Sequence, residues 1–216
     1  MFDSVVALSV AGIARVLSGA RPLWLGCEPG TQQRIYFANH SSHLDAVVLW
    51  TALPPELRAR VRPVAAQDYW EANRLRRYLA GRVFRSVLIP RPGNGAPLKE
   101  SATVAIEKMS EALVGGVDSL ILFPEGTRGG AAAVGSFKSG LFHLAERHPD
   151  VELVPVFMEN LSRILPKGEI LPVPILGSVS IGSPIQLVAD ESKQAFLVRA
   201  RQALCELGGV ADAAGS

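Results

Sequence analysis

Residues 35–53, IYFANHSSHLDAVVLWTAL, combine an apolar, β-branched and aromatic run, a polar turn and a second apolar run. The first run predicts a buried strand, and the spacing of apolar residues in the second predicts a helix. Ser41 or Ser42 suits the N-cap position, which leaves His40 in the turn and Asp45 in the first helical turn, where the helix dipole favours a carboxylate. The stretch therefore predicts a strand–turn–helix unit with two ionisable side chains at its bend.

His40 and Asp45 stand five positions apart. On one continuous helix their side chains would point about 140° apart, given ~3.6 residues per turn. With His40 outside the helix, the chain can fold back and let the carboxylate accept a hydrogen bond from the imidazole. Such a bond fixes the tautomer and leaves the other ring nitrogen free as a general base.

Two other interpretations of this stretch stay open at this point. In the first, His40 and Asp45 only cap the helix and decorate a loop. In the second, His40, His43 and Asp45 are three ligands of a metal ion. Their spacing matches no usual zinc motif, and Cys27 and Cys205 are distant in sequence, so the pattern favours the metal least.

The composition indicates one globular domain, since the chain has 216 residues and 48% of them are hydrophobic. Two cysteines without a pairing or metal-binding pattern indicate a reducing compartment. The formal net charge is only +2, but the stretch from Arg58 to Arg91 has nine arginines against Asp68 and Glu71. This excess predicts attraction to an anionic membrane surface or substrate, with an ordinary solvated face as the alternative.

Residues 4–14 form an uncharged, apolar run that follows Asp3. The run is shorter than the ~20 residues of a membrane span, and it lacks the positive start of a signal peptide. It predicts a helix that is either buried or lies in the bilayer interface, and Trp24 favours the interface because indole prefers the headgroup level. We therefore expect a peripheral or monotopic protein on the cytoplasmic face of a membrane.

Strands alternate with helices through the rest of the chain. Strands are predicted at 61–66, 84–89, 119–123 and around 154–156, and helices at 69–79, 97–114 and 193–207. The alternation predicts an α/β fold, a single layered domain with a mixed, largely parallel sheet flanked by helices. A short N-terminal membrane-docking helix precedes it, so that we assign residues 1–30 to an interfacial segment, 31–208 to the main domain and 209–216 to a flexible tail.

Ligands bind at the carboxyl ends of parallel strands, and the sequence PEGTR, at residues 124–128, follows a predicted strand directly. Gly126 permits a positive φ or a close backbone approach, and Arg128 carries a planar fork suited to phosphate or carboxylate. Lys138 adds a second cation at a predicted helix start. The alternative is a structural turn in which Glu125 and Arg128 pair with each other.

Together these motifs resemble those of the glycerolipid acyltransferases. NHSSHLD at residues 39–45 matches the His-x4-Asp motif of that family, and VPV at 154–156 matches its fourth motif. FPEGTR at 123–128 matches the third motif, which SFKSG continues at 136–140. The order of motifs agrees over residues 35–157, and the lysophosphatidate acyltransferases are the most similar in pattern.

The resemblance implies a fatty acyl transfer from an acyl thioester, on coenzyme A or acyl carrier protein, to the hydroxyl of a lysophospholipid. Lysophosphatidate, which would give phosphatidate in phospholipid biosynthesis, is the acceptor that the pattern favours. One departure is Pro90, which stands before Arg91 where the family's second motif commonly has an acidic residue, and it leaves the headgroup open. We expect a membrane lipid acceptor, the thioester donor and an anionic membrane surface as partners, with no nucleic acid, no cofactor and no metal.

In the predicted mechanism, His40 takes the proton of the acceptor hydroxyl, because an alcohol near pH 7 is a poor nucleophile, and Asp45 orients the imidazole. Glu125 is expected to position Arg128 or the acceptor. Substrate binding is assigned to the loop residues Arg91, Glu125, Gly126, Thr127, Arg128 and Lys138, of which the three cations would bind the acceptor phosphate. Backbone N–H groups near Ser41 or at Gly126 would stabilise the oxyanion.

Two further classes compete with the acyltransferase. A hydrolase could use the same pair of side chains to direct water at a thioester or ester, although it needs no cluster of phosphate-sized cations. A non-catalytic lipid-binding module would have no use for a His40–Asp45 pair. The predicted terminal helix at 193–207 is interpreted as structural.

Overall fold

The computed structural model describes residues 2–42, 44–91, 97–127, 134–159 and 177–210, and in these residues seven strands form one sheet. The strands are β1 (Arg21–Trp24), β2 (Arg34–Ala38), β3 (Val61–Ala66), β4 (Val87–Ile89), β5 (Ser119–Leu122), β6 (Glu152–Glu159) and β7 (Ser178–Ile181). Their order is β1-β7-β6-β2-β5-β3-β4. Strands β2 to β6 are parallel, and β7 runs antiparallel to β6. The predicted mixed, largely parallel sheet is confirmed.

Helices cover both faces of this sheet, as predicted. They are α1 (Phe2–Ser18), α2 (Asp45–Ala52), α3 (Pro55–Arg58), α4 (Gln67–Trp70), α5 (Arg74–Tyr78), α6 (Leu98–Leu113), α7 (Gly140–Arg147) and α8 (Lys193–Leu207), and a π-helical turn, Leu79–Val83, continues α5. Strand β3 and helix α8 match the predicted bounds at both ends.

Alternate side chains of β2 build a separate core on each face of the sheet. Ile35 and Phe37 pack with α6, α7 and α8, whereas Tyr36 and Ala38 pack with α1 and α2. All five residues of β2 are buried, which explains the continuous apolar run at residues 35–38. The central strand thus ends, at its carboxyl edge, directly in the predicted catalytic motif.

The N-terminal residues share the sheet and core of the rest of the chain. Helix α1 buries Ala11 against the core of α2, and the Arg15 Nε donates to the Thr51 carbonyl at 3.0 Å. Tyr78 donates its hydroxyl hydrogen to the Asp3 carboxylate at 2.6 Å. Strand β1 pairs with β7. The segment assigned to residues 1–30 therefore supplies a helix and an edge strand to the same layered structure as residues 31–208.

The opposite face of α1 is apolar and exposed. Val5, Leu8 and Ile13 each leave more than half of their surface accessible, at 58%, 65% and 60%. Helix α1 therefore has more apolar surface than its packing on α2 buries. Among the described residues, no helix is long and apolar enough to cross a membrane.

Two predicted elements are wrong in their extent. The helix predicted at 69–79 is interrupted after α4, because the Asn73 side chain accepts a hydrogen bond from the Arg76 N–H at 2.9 Å and starts α5 anew. The strand predicted at 84–89 begins only at Val87. Phe84 closes the π-helical turn with a hydrogen bond to the Leu79 carbonyl, and Arg85 adopts a positive φ of 50°, which a strand does not allow.

Candidate active site

The chain folds back at the end of β2, as the spacing predicted, and brings His40 and Asp45 together. The His40 Nδ1 lies 2.8 Å from the Asp45 Oδ2. The same carboxylate oxygen accepts hydrogen bonds from the backbone N–H of Ser41 at 2.6 Å and of Ser42 at 2.8 Å. Three donors therefore converge on one oxygen of a carboxylate that has no exposed surface.

This geometry assigns the tautomer of His40. An ionised carboxylate can only accept hydrogen bonds, so Nδ1 must carry the proton of the neutral imidazole. The lone pair is then on Nε2, the nitrogen that a general base would use. The His40 side chain keeps 22% of its surface exposed while Asp45 is fully buried, so the pair is accessible only from the imidazole side.

Ser41 or Ser42 was predicted as the N-cap of this helix, and this prediction is wrong. Helix α2 begins at Asp45, and Leu44 occupies the cap position without a side-chain hydrogen bond. The Ser42 hydroxyl instead accepts from the Leu44 N–H at 3.3 Å, before the helix starts. The reason is that the Asp45 carboxylate turns back to bind the preceding N–H groups and leaves no capping role for the serines.

Asn39 and Phe123 hold the histidine from two further sides, and sequence reasoning missed both. The Asn39 side-chain N–H donates to the Met158 carbonyl at 2.9 Å, and its amide oxygen accepts from the Met158 N–H at 2.8 Å. The His40 ring stacks on Phe123, with centroids 4.4 Å apart and planes inclined by 24°. Asn39 thus fixes the start of the catalytic turn to β6, and Phe123 fixes the imidazole plane.

Glu125 has a different contact set from the one expected. Glu125 is 5% exposed, and each of its carboxylate oxygens accepts a hydrogen bond from a backbone N–H within the described structure. The Oε1 accepts from His40 at 2.8 Å, and the Oε2 accepts from Gly135 at 2.8 Å. The carboxylate therefore connects the loop after β5 to the backbone of His40. Arg128, its expected partner, lies outside the described residues.

Gly126 and Lys138 lie together at the carboxyl end of β5. Gly126 has a φ of +71°, and a Cβ there would lie 3.3 Å from the Lys138 Cγ, so a glycine accommodates both the turn and the lysine stem. Thr127 and the rest of the Lys138 side chain are exposed. The Lys138 N–H donates to the Pro124 carbonyl at 2.7 Å and closes the loop.

The N–H groups suggested as oxyanion donors are already bonded within the described structure. The N–H of Ser41 and that of Ser42 bind Asp45, and the Gly126 N–H donates to the Phe123 carbonyl at 3.1 Å. Each of these groups would have to release or share an internal acceptor before it could bind an oxyanion.

Arg91 lies apart from Lys138, the other predicted cation within the described residues. It lies just after β4, which is two strands away from β5, or about 10 Å at the usual strand spacing. Its guanidinium contacts the Asp68 carboxylate at 3.3 Å, and both side chains are largely exposed. Exposed pairs of this kind contribute about 0–1 kcal/mol, so the pair leaves Arg91 able to exchange partners.

The arginine-rich stretch contains arginines that are paired with a carboxylate, one that is buried, and others that are exposed. Arg62 and Arg85 bind Asp118, while Arg58 is buried over the Trp50 ring, where burial and then Arg15 lower its pKa. The stretch also has exposed arginines without a salt bridge to any described residue, namely Arg60, Arg74, Arg77 and Arg82.

No group of three histidine, cysteine, aspartate or glutamate side chains in the described ranges could hold a metal ion. The third ligand of the metal hypothesis, His43, is outside those ranges.

This site, at the carboxyl edge of a parallel sheet, has counterparts in known proteins. The family model described as acyltransferase matches residues 28–159, which include His40, Asp45 and the loop after β5, so the chain belongs to the acyltransferase family. The Thermotoga maritima structure titled 1-acyl-sn-glycerophosphate (LPA) acyltransferase, PlsC, has the same fold. It superposes with a TM-score of 0.68 at 20% identity, covering 96% of this chain and 80% of that one.

Curated relatives carry a related name. The 1-acyl-sn-glycerol-3-phosphate acyltransferase of Limnanthes alba is 31% identical over 159 residues, which is 69% of this chain and 50% of that protein. The alpha form from Mus musculus is 29% identical over 143 residues, 65% of this chain and 45% of that protein. The chain thus spans about half the length of the curated relatives it matches.

Proposed function

We propose that this protein is an O-acyltransferase that moves a fatty acyl group from an acyl thioester to the free hydroxyl of lysophosphatidate, giving phosphatidate. The observation that carries the proposal is the His40–Asp45 pair, with the proton on Nδ1 and the basic Nε2 on the accessible side. Membership of the acyltransferase family and the names of the relatives support this class of reaction.

In the proposed reaction, the His40 Nε2 removes the hydroxyl proton as the alcohol oxygen attacks the thioester carbonyl carbon. The tetrahedral intermediate then collapses, the carbon–sulfur bond breaks, and the imidazolium returns its proton to the leaving thiolate. The Asp45 carboxylate stabilises the transient positive charge at hydrogen-bond distance, through a bond to an ionised group. Attack is direct, so no serine or cysteine nucleophile is required. The donor is an acyl thioester of coenzyme A or of acyl carrier protein.

The test is product analysis with purified protein, labelled acyl-CoA or acyl carrier protein, and a panel of lyso-lipids. We expect labelled phosphatidate only when lysophosphatidate is present, with little free fatty acid in its absence. Release of free fatty acid at the same rate with and without acceptor would establish the hydrolase instead. A product formed only from another lyso-lipid would keep the acyltransferase and replace the acceptor.

The phosphate-binding cations give a further prediction. A guanidinium binds phosphate through two parallel hydrogen bonds, and a lysine cannot reproduce this fork. We therefore expect Arg128→Lys to raise the KM for lysophosphatidate by about 10-fold, the scale of one charge-assisted hydrogen bond of ~1.5 kcal/mol. The KM for the acyl donor should change little.

Monoacylglycerol is the matched control for this experiment, because it presents the same hydroxyl without the phosphate. It should be a poor acceptor for the unmodified protein and should lose much less on mutation. If Arg128→Lys instead raises the KM for the acyl donor, Arg128 binds the acyl donor and the lysophosphatidate assignment fails.

We propose that the protein binds the membrane surface through α1 and the exposed arginines. The apolar face of Val5, Leu8 and Ile13 supplies buried area, and each arginine near the surface contributes about 1 kcal/mol with anionic lipids. Exposed charges are screened over ~10 Å at 0.1 M salt, so binding to anionic vesicles should weaken steeply toward molar salt.

Vesicle flotation measures this prediction. Leu8→Asp should abolish the binding that remains at high salt, whereas Ala11→Gly, on the packed side of α1, should not change it beyond its effect on folding. Equal, salt-independent binding to neutral and anionic vesicles would leave the exposed arginines as an ordinary solvated face.

A further inference from the structure

Helix α8 contacts the loop that Glu125 holds against the catalytic histidine. The Arg201 Nε donates to the carbonyls of Val134 and Gly135 at 3.1 and 3.2 Å, and its Nη2 donates to Val134 at 2.8 Å. The Gly135 N–H, on the other side of the same residue, donates to the Glu125 carboxylate. Gly135 is therefore held between a guanidinium on its carbonyl and a carboxylate on its N–H.

The second carboxylate oxygen of Glu125 contacts the backbone of His40. Because the Glu125 Oε1 accepts from the His40 N–H, the position of Glu125 sets the backbone from which the catalytic imidazole extends. A Cβ on Gly135 would lie 2.8 Å from the Glu125 Oε2, so a larger residue at this point would displace the end of the carboxylate.

Arg201 lies outside the residues that the acyltransferase family model matches, which end at 159. It is the kind of residue that a motif search overlooks, since its partners are 66 and 67 positions away and are backbone carbonyls. The packing of α8 does not require it either, because the buried residues of the helix are Phe196, Ala200, Leu204 and Cys205.

We propose that Arg201 is a positioning residue for acyl transfer, acting through Gly135 and Glu125 on the backbone of His40. This inference rests on the proposed function. Without the guanidinium, the two carbonyls lose their charged donor, and Gly135 and Glu125 are free to shift together. Displacement of a catalytic group by about 1 Å can cost 100-fold in rate.

The chain offers a matched control two positions earlier on the same helix. Arg199 is also partly buried and also binds a carbonyl, that of Gln186, together with the Glu191 carboxylate at 2.6 Å. None of these contacts reaches the loop after β5. Arg199→Ala therefore removes a comparable set of bonds from α8 without touching Gly135.

We expect Arg201→Ala to lower kcat by about 10- to 100-fold at saturating substrates, because the imidazole is misaligned, while Arg199→Ala stays within about twofold. Arg201→Lys should recover most of the activity, since an ammonium can still donate to both carbonyls. In the double variant Arg201→Ala/Glu125→Gln, the loss should be no greater than that of the worse single variant, because both act through one connection.

Amide hydrogen exchange gives a readout that does not need activity. Exchange at the Gly135 and His40 amides should rise by about tenfold or more in Arg201→Ala and stay unchanged in Arg199→Ala. If the unmodified protein transfers no acyl group but these amides respond as expected, the connection stands and the proposed function fails. If the protein is active and Arg201→Ala matches Arg199→Ala in kcat, the inference is overturned. Should Arg201→Ala not fold, Arg201→Met and Arg199→Met, which keep an unbranched apolar stem but have no N–H donor, are compared in the same measurements, and equal values likewise overturn the inference.

Discussion

His40→Ala is expected to lower kcat by about 100- to 10,000-fold, the usual contribution of a general base. Alanine removes the Nε2 that accepts the acceptor proton, while the loop keeps the backbone bond from His40 to Glu125 and the bonds from Ser41 and Ser42 to Asp45. The KM values should therefore change much less than kcat. Steady-state kinetics on both substrates measures this difference.

The control for this variant is His143→Ala in α7, which removes an imidazole whose ion-pair partner is Glu146. It should keep full activity. Addition of EDTA tests the metal hypothesis separately and should have no effect. Unchanged activity in His40→Ala would reduce the pair to a structural cap, and loss of activity with EDTA would point to a metal instead.

Asp45→Asn is the second large effect that we expect. The asparagine side chain has nearly the same shape, and its oxygen can take the place of the Oδ2 that the three donors share, but it carries no negative charge and accepts these bonds more weakly. In either orientation its NH2 group is buried without an acceptor, because the Asp45 Oδ1 has no hydrogen-bond partner in the described structure and Oδ2 is surrounded by N–H groups. We expect a loss of about 1–3 kcal/mol in the free energy of unfolding.

The catalytic consequence follows from the tautomer. The amide no longer requires the proton to sit on the His40 Nδ1, so part of the enzyme carries it on Nε2 and cannot act as a base. We expect kcat to fall by about 10- to 100-fold, less than the full contribution of a general base, because the molecules that keep the proton on Nδ1 still have a basic Nε2. Thermal unfolding and kinetics are measured on the same sample. An Asp45→Asn protein that is destabilised but fully active would make Asp45 a purely structural residue.

The elements that the sequence predicts well are those whose signal is local. The alternation of strands and helices, the bounds of β3 and α8, and the fold-back that joins His40 to Asp45 all depend on residues within a few positions of one another. A run of buried side chains on a central strand, or a spacing of five residues across a turn, is visible in the sequence itself.

The parts that sequence reasoning missed depend on distant backbone atoms. The motif predicts Glu125 as a substrate ligand. In the structure its carboxylate accepts a hydrogen bond from the backbone N–H of His40, which lies 85 positions earlier. The sequence predicts Asn39 as a loop residue. Its side-chain amide makes two hydrogen bonds to the backbone of Met158 in β6, 119 positions later. Since a backbone N–H or carbonyl is the same at every position, no residue type marks these partners in advance.

The placement of β2 in the middle of the sheet sets the order in which the site can be made. Both of its neighbours come later in the chain, β5 by 85 residues and β6 by 118, so the strand that leads into the His40 turn is synthesised long before either of its partners. At translation rates of ~5–20 residues per second, about 6 to 24 seconds pass between the appearance of Arg34 and that of its partner Glu152. Before β5 is made, this strand, whose five residues are all buried in the folded protein, has neither of its two sheet partners.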